Sequence, residues 1–348
     1  MTILHDWLDI KDVFGHNLLL GNGASIAVHP DLSYKSLYAQ ACESGALTSN
    51  VQELFKTFHT ENFEVLLRLL LHAKLINEAF NIDDEGKIGQ AYQQVKDALV
   101  KTVIDVHPKY DRVNYLLKPI ADFMRSFKRV FCLNYDLLVY WAMLVGNDQY
   151  GTWFKDAFIE EDGSFKNDYG FLFSPHFTAT GATVVFYPHG NLFLATDFFG
   201  NEVKLAGSDE ERLLEKLLSQ WGKGNQIEDY IPLFVSEGNT GEKLHRIRRS
   251  NYLDTVYDSE LSTLEDSLVI YGWRIDKQDL HILDAIGKGK LAEIAISIYK
   301  KENDWQSNCD EVEAKIRKNP GLKQCELVFF DAESEGCWIH QHNANAYL

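Results

Sequence analysis

No Cys-x-x-Cys pair occurs in this sequence. Its five cysteines, Cys42, Cys132, Cys309, Cys325 and Cys337, are scattered singly. That spacing excludes a zinc ribbon and a dithiol redox motif, and it predicts no structural metal. An odd, dispersed set is also a poor disulfide framework, so a reducing, cytoplasmic setting is expected. Positive charge is in deficit: 34 Lys and Arg stand against 51 Asp and Glu, for a net charge of -17. A surface of that sign repels a phosphate backbone, so no nucleic-acid partner is expected. Apolar runs of the ~20 residues that span a bilayer are missing, and the longest, Leu137–Val145, has the length of a core helix. The first residues, with His5, Asp6, Asp9 and Asp12, lack the basic-then-apolar pattern of a signal peptide. Internal repeats, low-complexity tracts and obvious linkers are absent too.

What remains is an ordinary globular balance, 45% hydrophobic and 24% charged over 348 residues, large enough for one domain with insertions or for two domains. The most informative stretch is Leu18–Ser25, Leu-Leu-Leu-Gly-Asn-Gly-Ala-Ser. An apolar run ended abruptly by glycine fits a strand buried on both faces of a parallel sheet. Gly21-Asn22-Gly23 then offers residues free to take positive φ, and Ala24–Ala27 can open a helix whose N–H groups point back at the turn. Two readings fit equally: a phosphate cradle, or a tight strand-to-helix turn.

Met1–His16 reads as a short amphipathic lead-in. Tyr34, Leu37 and Tyr38 share a helical spacing within Ile26–Cys42. In Thr60–Phe80, Phe63, Leu66, Leu67, Leu70, Leu71 and Leu75 form a stripe of helical period, with Glu64 and Arg68 as an i,i+4 pair. Two more helices are expected at Ile88–Asp105 and Arg112–Ser126, broken at His107-Pro108. Residues 31–126 therefore read as a helical insertion after the first strand. Arg129–Leu133 is a second buried strand, followed by a helix at Leu137–Val145, and Gly146–Ala182 has weak periodicity. Further strands are expected at Thr183–Tyr187, Ile231–Val235, Ser267–Tyr271, Leu291–Tyr299 and Cys325–Phe330. Leu192–Thr196 and Glu202–Leu205 read as a hairpin around Gly200-Asn201. Helices are expected at Ser208–Trp221, Glu242–Leu264 and Asp276–Ile286, with a charged one between the last two strands. Strands alternating with helices predict one continuous α/β domain over residues 1–348, a doubly wound, Rossmann-like parallel sheet.

In such a sheet a ligand lies outside the carboxyl ends of the strands. Four expected strands end in polar or glycine-bearing turns: Gly21-Asn22-Gly23, Asn134-Tyr135-Asp136, His189-Gly190 and Gly272-Trp273-Arg274. Taken singly, Asn134 and Asp136 read as turn caps and His189 as a satisfied turn histidine. Together, and in this order, they point to a site.

These pieces resemble the sirtuin-like superfamily, and more closely the bacterial sirtuin-like proteins often found in anti-phage defence, with their Gly-x-Gly-x-Ser, Thr-Asn-Tyr-Asp and His-Gly motifs. The resemblance runs discontinuously from Leu18 to about Ile286. It implies binding of NAD and cleavage of its nicotinamide–ribose bond. It places Gly21, Asn22, Gly23 and Ser25 at the pyrophosphate, Asn134 and Asp136 at the nicotinamide ribose, His189 as general base, and Gly272, Arg274 and Asp279 toward the adenosine half. Breaking an N-glycosidic bond develops oxocarbenium character, and a histidine can take the proton that water or a ribose hydroxyl gives up.

Leu133 stands where these proteins often carry threonine, and Arg274 where serine is usual. Arg274 could pair with a phosphate or lie on the surface. No cysteine lies between Asn134 and Gly272, so the zinc module of protein-deacylating sirtuins is missing. The resemblance therefore implies an NAD hydrolase with water as acceptor, controlled by self-association or a partner defence protein. The alternative is a non-catalytic sensor of NAD or ADP-ribose. A dehydrogenase fingerprint would need glycine at Ile26. The cluster His245, Arg246, Arg248 and Arg249 fits a partner or regulatory nucleotide, or a solvated helix face.

Overall fold

The computed structural model describes residues 2–33, 36–82, 86–158, 163–176, 179–197, 199–205, 214, 230–235, 238–301 and 304–340. The expected helix Ser208–Trp221 lies outside the described residues except for Leu214, and so does Tyr34.

The strands are β1 (Leu4–His5), β2 (Asn17–Leu20), β3 (Arg129–Cys132), β4 (Phe154–Lys155), β5 (Thr183–Phe186), β6 (Gly190–Thr196), β7 (Glu202–Lys204), β8 (Ile231–Phe234), β9 (Glu265–Tyr271), β10 (Lys290–Ile298) and β11 (Glu326–Asp331). Eight of them form one sheet in the order β1-β11-β10-β9-β2-β3-β5-β4, and every pairing in it is parallel. Each residue of β2 and β5 is buried, because helices cover both faces of a parallel sheet. That is why Leu18, Leu19 and Leu20 read as a run rather than as an alternation.

The chain runs from β2 to β3, out to the edge strand β4, and back to β5 between them. It then restarts on the opposite side of β2 with β9 and winds outward through β10 to β11. The reversal of winding opens a crevice at the carboxyl edge beside β2. The doubly wound α/β architecture is the one the strand–helix alternation predicts.

The helices are α1 (Trp7–Ile10), α2 (Asn22–Val28), α3 (Leu37–Glu43), α4 (Ser49–Thr57), α5 (Phe63–Phe80), α6 (Lys87–Val106), α7 (Tyr110–Met124), α8 (Leu138–Tyr150), α9 (Thr240–Ile247), α10 (Asn251–Thr255), α11 (Leu280–Ile286) and α12 (Trp305–Arg317). Helices α3 to α7 fill the crossover from β2 to β3. Helix α5 starts where Asn62 accepts a hydrogen bond from the Val65 N–H, and it ends at Asn81 in the left-handed region. Its Phe63, Leu66, Leu67, Leu70 and Leu71 are buried, and Glu64 pairs with Arg68 at 2.8 Å. The stripe packs into the same continuous cluster of buried side chains as Leu19 of β2 and Val269 of β9.

Four expectations change. The lead-in is not simply a helix: Leu4 and His5 add a parallel edge strand to β11, and only Trp7–Ile10 is helical. The weakly periodic middle holds β4, a two-residue edge strand beside β5, too short to leave a pattern. Ile231–Val235 does not join the main sheet. Its β8 pairs antiparallel with β6, which also carries the expected hairpin to β7, so three strands make a separate small sheet. The helical stretch Glu242–Leu264 is divided into α9, α10, a π-turn at Val256–Glu260 and a 3-10 turn.

Candidate active site

The ends of β9, β2, β3 and β5, four neighbours in the sheet, carry the four turns singled out in the sequence. A cavity of about 1060 Å³ opens over them. Gly21, Asn22 and Gly23 form its wall above β2, and Asn134 and Asp136 above β3. His189 faces it from β5, and Gly272, Arg274 and Asp279 from the segment after β9. The remaining predicted residue, Ser25, is buried beneath.

The glycines work by close approach. Gly21 has φ −104°, and Gly23 is not among the positive-φ residues, so the expected left-handed turn is absent. Helix α2 starts directly at Asn22. A Cβ on Gly21 would lie 2.5 Å from the Trp273 Cβ, and one on Gly23 would lie 2.8 Å from the Gly272 Cα. Gly272 itself has φ +69°, and its Cβ would meet the Ala24 nitrogen at 2.3 Å. The two backbones are also hydrogen-bonded: Gly21 N–H donates to the Tyr271 carbonyl at 2.9 Å and Gly23 N–H to the Gly272 carbonyl at 2.7 Å. These two amides therefore close the β2–β9 seam instead of facing outward.

Ser25 braces the next turn. Its hydroxyl donates to Asp136 Oδ2 at 2.5 Å and accepts from Asn134 Nδ2 at 2.7 Å. The same Nδ2 donates to the Gly21 carbonyl at 2.9 Å. Asp136 Oδ1 accepts the Leu138 N–H at the start of α8, the local capping that its residue type allows. With both Nδ2 protons committed, Asn134 Oδ1 is left without a hydrogen-bond partner among the described residues and is available as an acceptor at the cavity wall.

His189 sits on the opposite side. Burial pushes its pKa well below the ordinary histidine value. The Lys243 ammonium and His281 add to that shift, and a hydrogen bond to the Leu133 backbone opposes it. The imidazole is therefore neutral near pH 7 and carries one lone pair. Its Nε2 lies 2.9 Å from Nε2 of His281 and 3.9 Å from Asp279 Oδ1. Asp279 also binds the buried Lys243 ammonium at 2.8 Å. Its side chain thus meets the His189 end of the cavity, not only the Gly272 end. His189, Asp279 and His281 are close enough to share an ion, but the Lys243 ammonium already neutralises the carboxylate.

Three members of the site left no motif. His281 follows Leu280 in a mostly apolar helix, where it and Asp284 are the two polar residues of Leu280–Ile286, and no motif marks it. Lys243 sits in the basic helix α9. Asn191, fully buried, donates from Nδ2 to the backbone carbonyls of Asn134 and Asp136 at 3.2 and 2.8 Å. It ties the small sheet to the β3 turn. In the basic cluster, Arg248 is committed to Asp254 and Asp258, as expected of a solvated helix face.

Residues 18–338 match the model of a family described as a domain of unknown function, DUF4917. The chain belongs to the DUF4917 family. The match begins at Leu18 of β2 and ends at Trp338, so it takes in all four turns around the cavity of this DUF4917 chain. No curated protein matches it. Among the described residues, no helix is long and apolar enough to cross a membrane.

Proposed function

We propose that this DUF4917 chain hydrolyses NAD at the bond between nicotinamide and ribose, giving nicotinamide and ADP-ribose. The observation that carries the reading is the pairing of Asn134 and His189 on one cavity. One side chain offers a free acceptor oxygen, and the other is a neutral base. In the reaction, water attacks the anomeric carbon of the ribose as the N-glycosidic bond breaks. Nicotinamide leaves with the bonding pair as a neutral molecule, and the proton released by the water goes to His189. Asn134 Oδ1 accepts a hydrogen bond from the water or a ribose hydroxyl and, as an amide, does not compete for the proton. Asp136 holds the turn that presents Asn134, and the nucleotide extends along the edge toward Gly272 and Arg274. The step needs no metal.

The motif order shared with sirtuin-like proteins supports the same reading, and with it a role as an anti-phage effector. A hydrolase of so general a substrate has to be restrained, so self-association or a partner protein is expected to control it. Incubating the purified chain with NAD and following nicotinamide release by chromatography tests the reading. Release at a rate proportional to protein is expected, and none at any protein concentration would remove it. One observation favours a second reading, a sensor that binds NAD or ADP-ribose without cleaving it: Nε2 of His189 is engaged by Nε2 of His281 at 2.9 Å. Saturable nucleotide binding in calorimetry with no nicotinamide released would select the sensor.

A further inference from the structure

At the His189 end of the cavity, three metal-ligating side chains converge from two parts of the fold. His189 follows β5. Asp279 and His281, two residues apart, span the junction of a 3-10 turn, Lys277–Asp279, with α11. His189 Nε2 is 2.9 Å from His281 Nε2 and 3.9 Å from Asp279 Oδ1. One ligand atom from each of the three lies within 4.8 Å of the others. A proton shared between the rings accounts for the first distance, whichever ring carries it, but not for a carboxylate oxygen closing on the same point. Two imidazole nitrogens and a carboxylate oxygen are the donor set of a divalent transition ion.

We propose that His189, His281 and Asp279 form a zinc site on the cavity wall, with water from the cavity completing the coordination. Tetrahedral zinc with Zn–N bonds of about 2.0–2.1 Å sets two nitrogens about 3.3 Å apart, so the rings need to part by only about 0.4 Å. Ligating imidazoles are steadied through the other ring nitrogen. The Leu133 backbone does this for His189. The Gln278 backbone stands in the same role beside His281 at looser geometry, since the buried His281 Nδ1 closes no ordinary hydrogen bond as it stands. His189 and Asp279 both line the cavity, which gives the ion a way in.

Lys243 sets the strength of the site. Its buried ammonium holds the same Asp279 oxygen at 2.8 Å, so it competes for the carboxylate and repels a second cation. The site is therefore exchangeable rather than structural. It is built from imidazole, on which cysteine spacing is silent. His189 Nε2 is also the atom that the proposed hydrolysis needs free, so a bound ion stops that reaction. The site does not rest on the hydrolase reading; only this inhibition does.

Calorimetric titration of the metal-free chain with zinc chloride tests the site without NAD, and cobalt(II) serves as a coloured stand-in. One zinc per chain is expected, displacing cobalt and its visible bands. His281→Phe keeps a ring and removes a ligand. It should weaken binding ~100-fold or more, beyond the ~10- to 100-fold that loss of an outer partner costs. Lys243→Met should strengthen binding ~10-fold or more, because a like charge and a competitor leave together. A gain in one variant and a loss in the other is a pattern that misfolding does not produce. Absence of a stoichiometric zinc in the parent, or parental affinity in folded His281→Phe, overturns the site. In the NAD assay stoichiometric zinc should stop nicotinamide release. If zinc binds as described and the metal-free chain never cleaves NAD, the site stands and the hydrolase reading falls. A chain that cleaves NAD but binds no zinc loses the site alone.

Discussion

Ser25 on α2 and Asp136 after β3 are 111 positions apart in the chain, and their side chains share a buried hydrogen bond of 2.5 Å. The same hydroxyl accepts from Asn134, so one small side chain sets two of the residues that face the cavity. Ser25→Ala leaves Asp136 Oδ2 and one Asn134 N–H without this partner in a buried place. The expected cost is about 1 to 3 kcal/mol of stability, the usual penalty for an orphaned buried polar group. Under the proposed function, nicotinamide release should fall as well. Denaturant unfolding alongside the NAD assay checks both, and a variant with parental stability would mean that the bond contributes nothing net.

His189→Ala and Asn134→Ala should each abolish measurable NAD cleavage. Loss of a general base typically costs ~100- to 10,000-fold. Neither side chain supplies apolar core, so circular dichroism should be unchanged. Parental rates from both folded variants would move the chemistry to another part of the molecule.

Gly272→Ala should destabilise the chain strongly. The residue has positive φ, and its added Cβ would lie 2.3 Å from a backbone nitrogen, where neither strand end can yield. Backbone strain alone contributes about 1 kcal/mol, and the clash adds to it. Gly89→Ala is the contrasting substitution. It lies in α6 with nothing within 4 Å of its added Cβ, so stability should rise by about 0.5 to 1 kcal/mol. Opposite shifts of the urea midpoint are the expected result.

Stability should depend on pH through the buried histidines. Burial lowers the pKa of His281 to about 4, against an unfolded value of about 6.5. The unfolded chain therefore binds the proton first as the pH falls. The contribution of neutral His281 is present in full above the unfolded value and declines from there down to about 4. His107 and His189 are shifted in the same direction by burial. Burial raises the pKa of Glu64, Glu202 and Glu260, and these groups act in the opposite sense, because the fold takes up their protons at a pH above the unfolded value of about 4.3. Comparison with His281→Gln isolates the one histidine. Between pH 6.5 and 5 the parent should lose up to ~1.4 kcal/mol more per pH unit than this variant. Equal slopes in urea titrations would show that His281 does not titrate as its burial demands.

Much of the fold was legible because burial on both sides of a strand, or on one stripe of a helix, writes itself into the order of residue types. Leu18–Leu20, Arg129–Leu133 and Ser267–Tyr271 are runs that only a covered parallel strand accommodates, and the α5 stripe has the period of its helix. The ends of those strands were legible too, since glycine and Asx residues mark the places where a strand must turn. Which strands lie side by side was not. A run of leucines is as apolar beside β9 as beside β11, and the order around β2 follows from packing and crossover handedness. For the same reason β8 read as one more strand of the series when it belongs to the small sheet.

Residue types nominated Gly21, Gly23, Gly272, Asn134, Asp136 and His189, and the resemblance added Ser25, but neither said what each one touches. Gly21 and Gly23 are glycine because Trp273 and Gly272 come within van der Waals distance of their α-carbons, a contact between segments about 250 positions apart. Ser25 points at Asp136, and His189 at His281, for reasons that exist only once β2, β3, β5 and β9 lie edge to edge. Local sequence decided which groups the chain would offer at its strand ends. The sheet order decided which of them meet, because a hydrogen bond of 2.5 to 2.9 Å is set by the placement of whole strands and leaves no trace in either segment by itself.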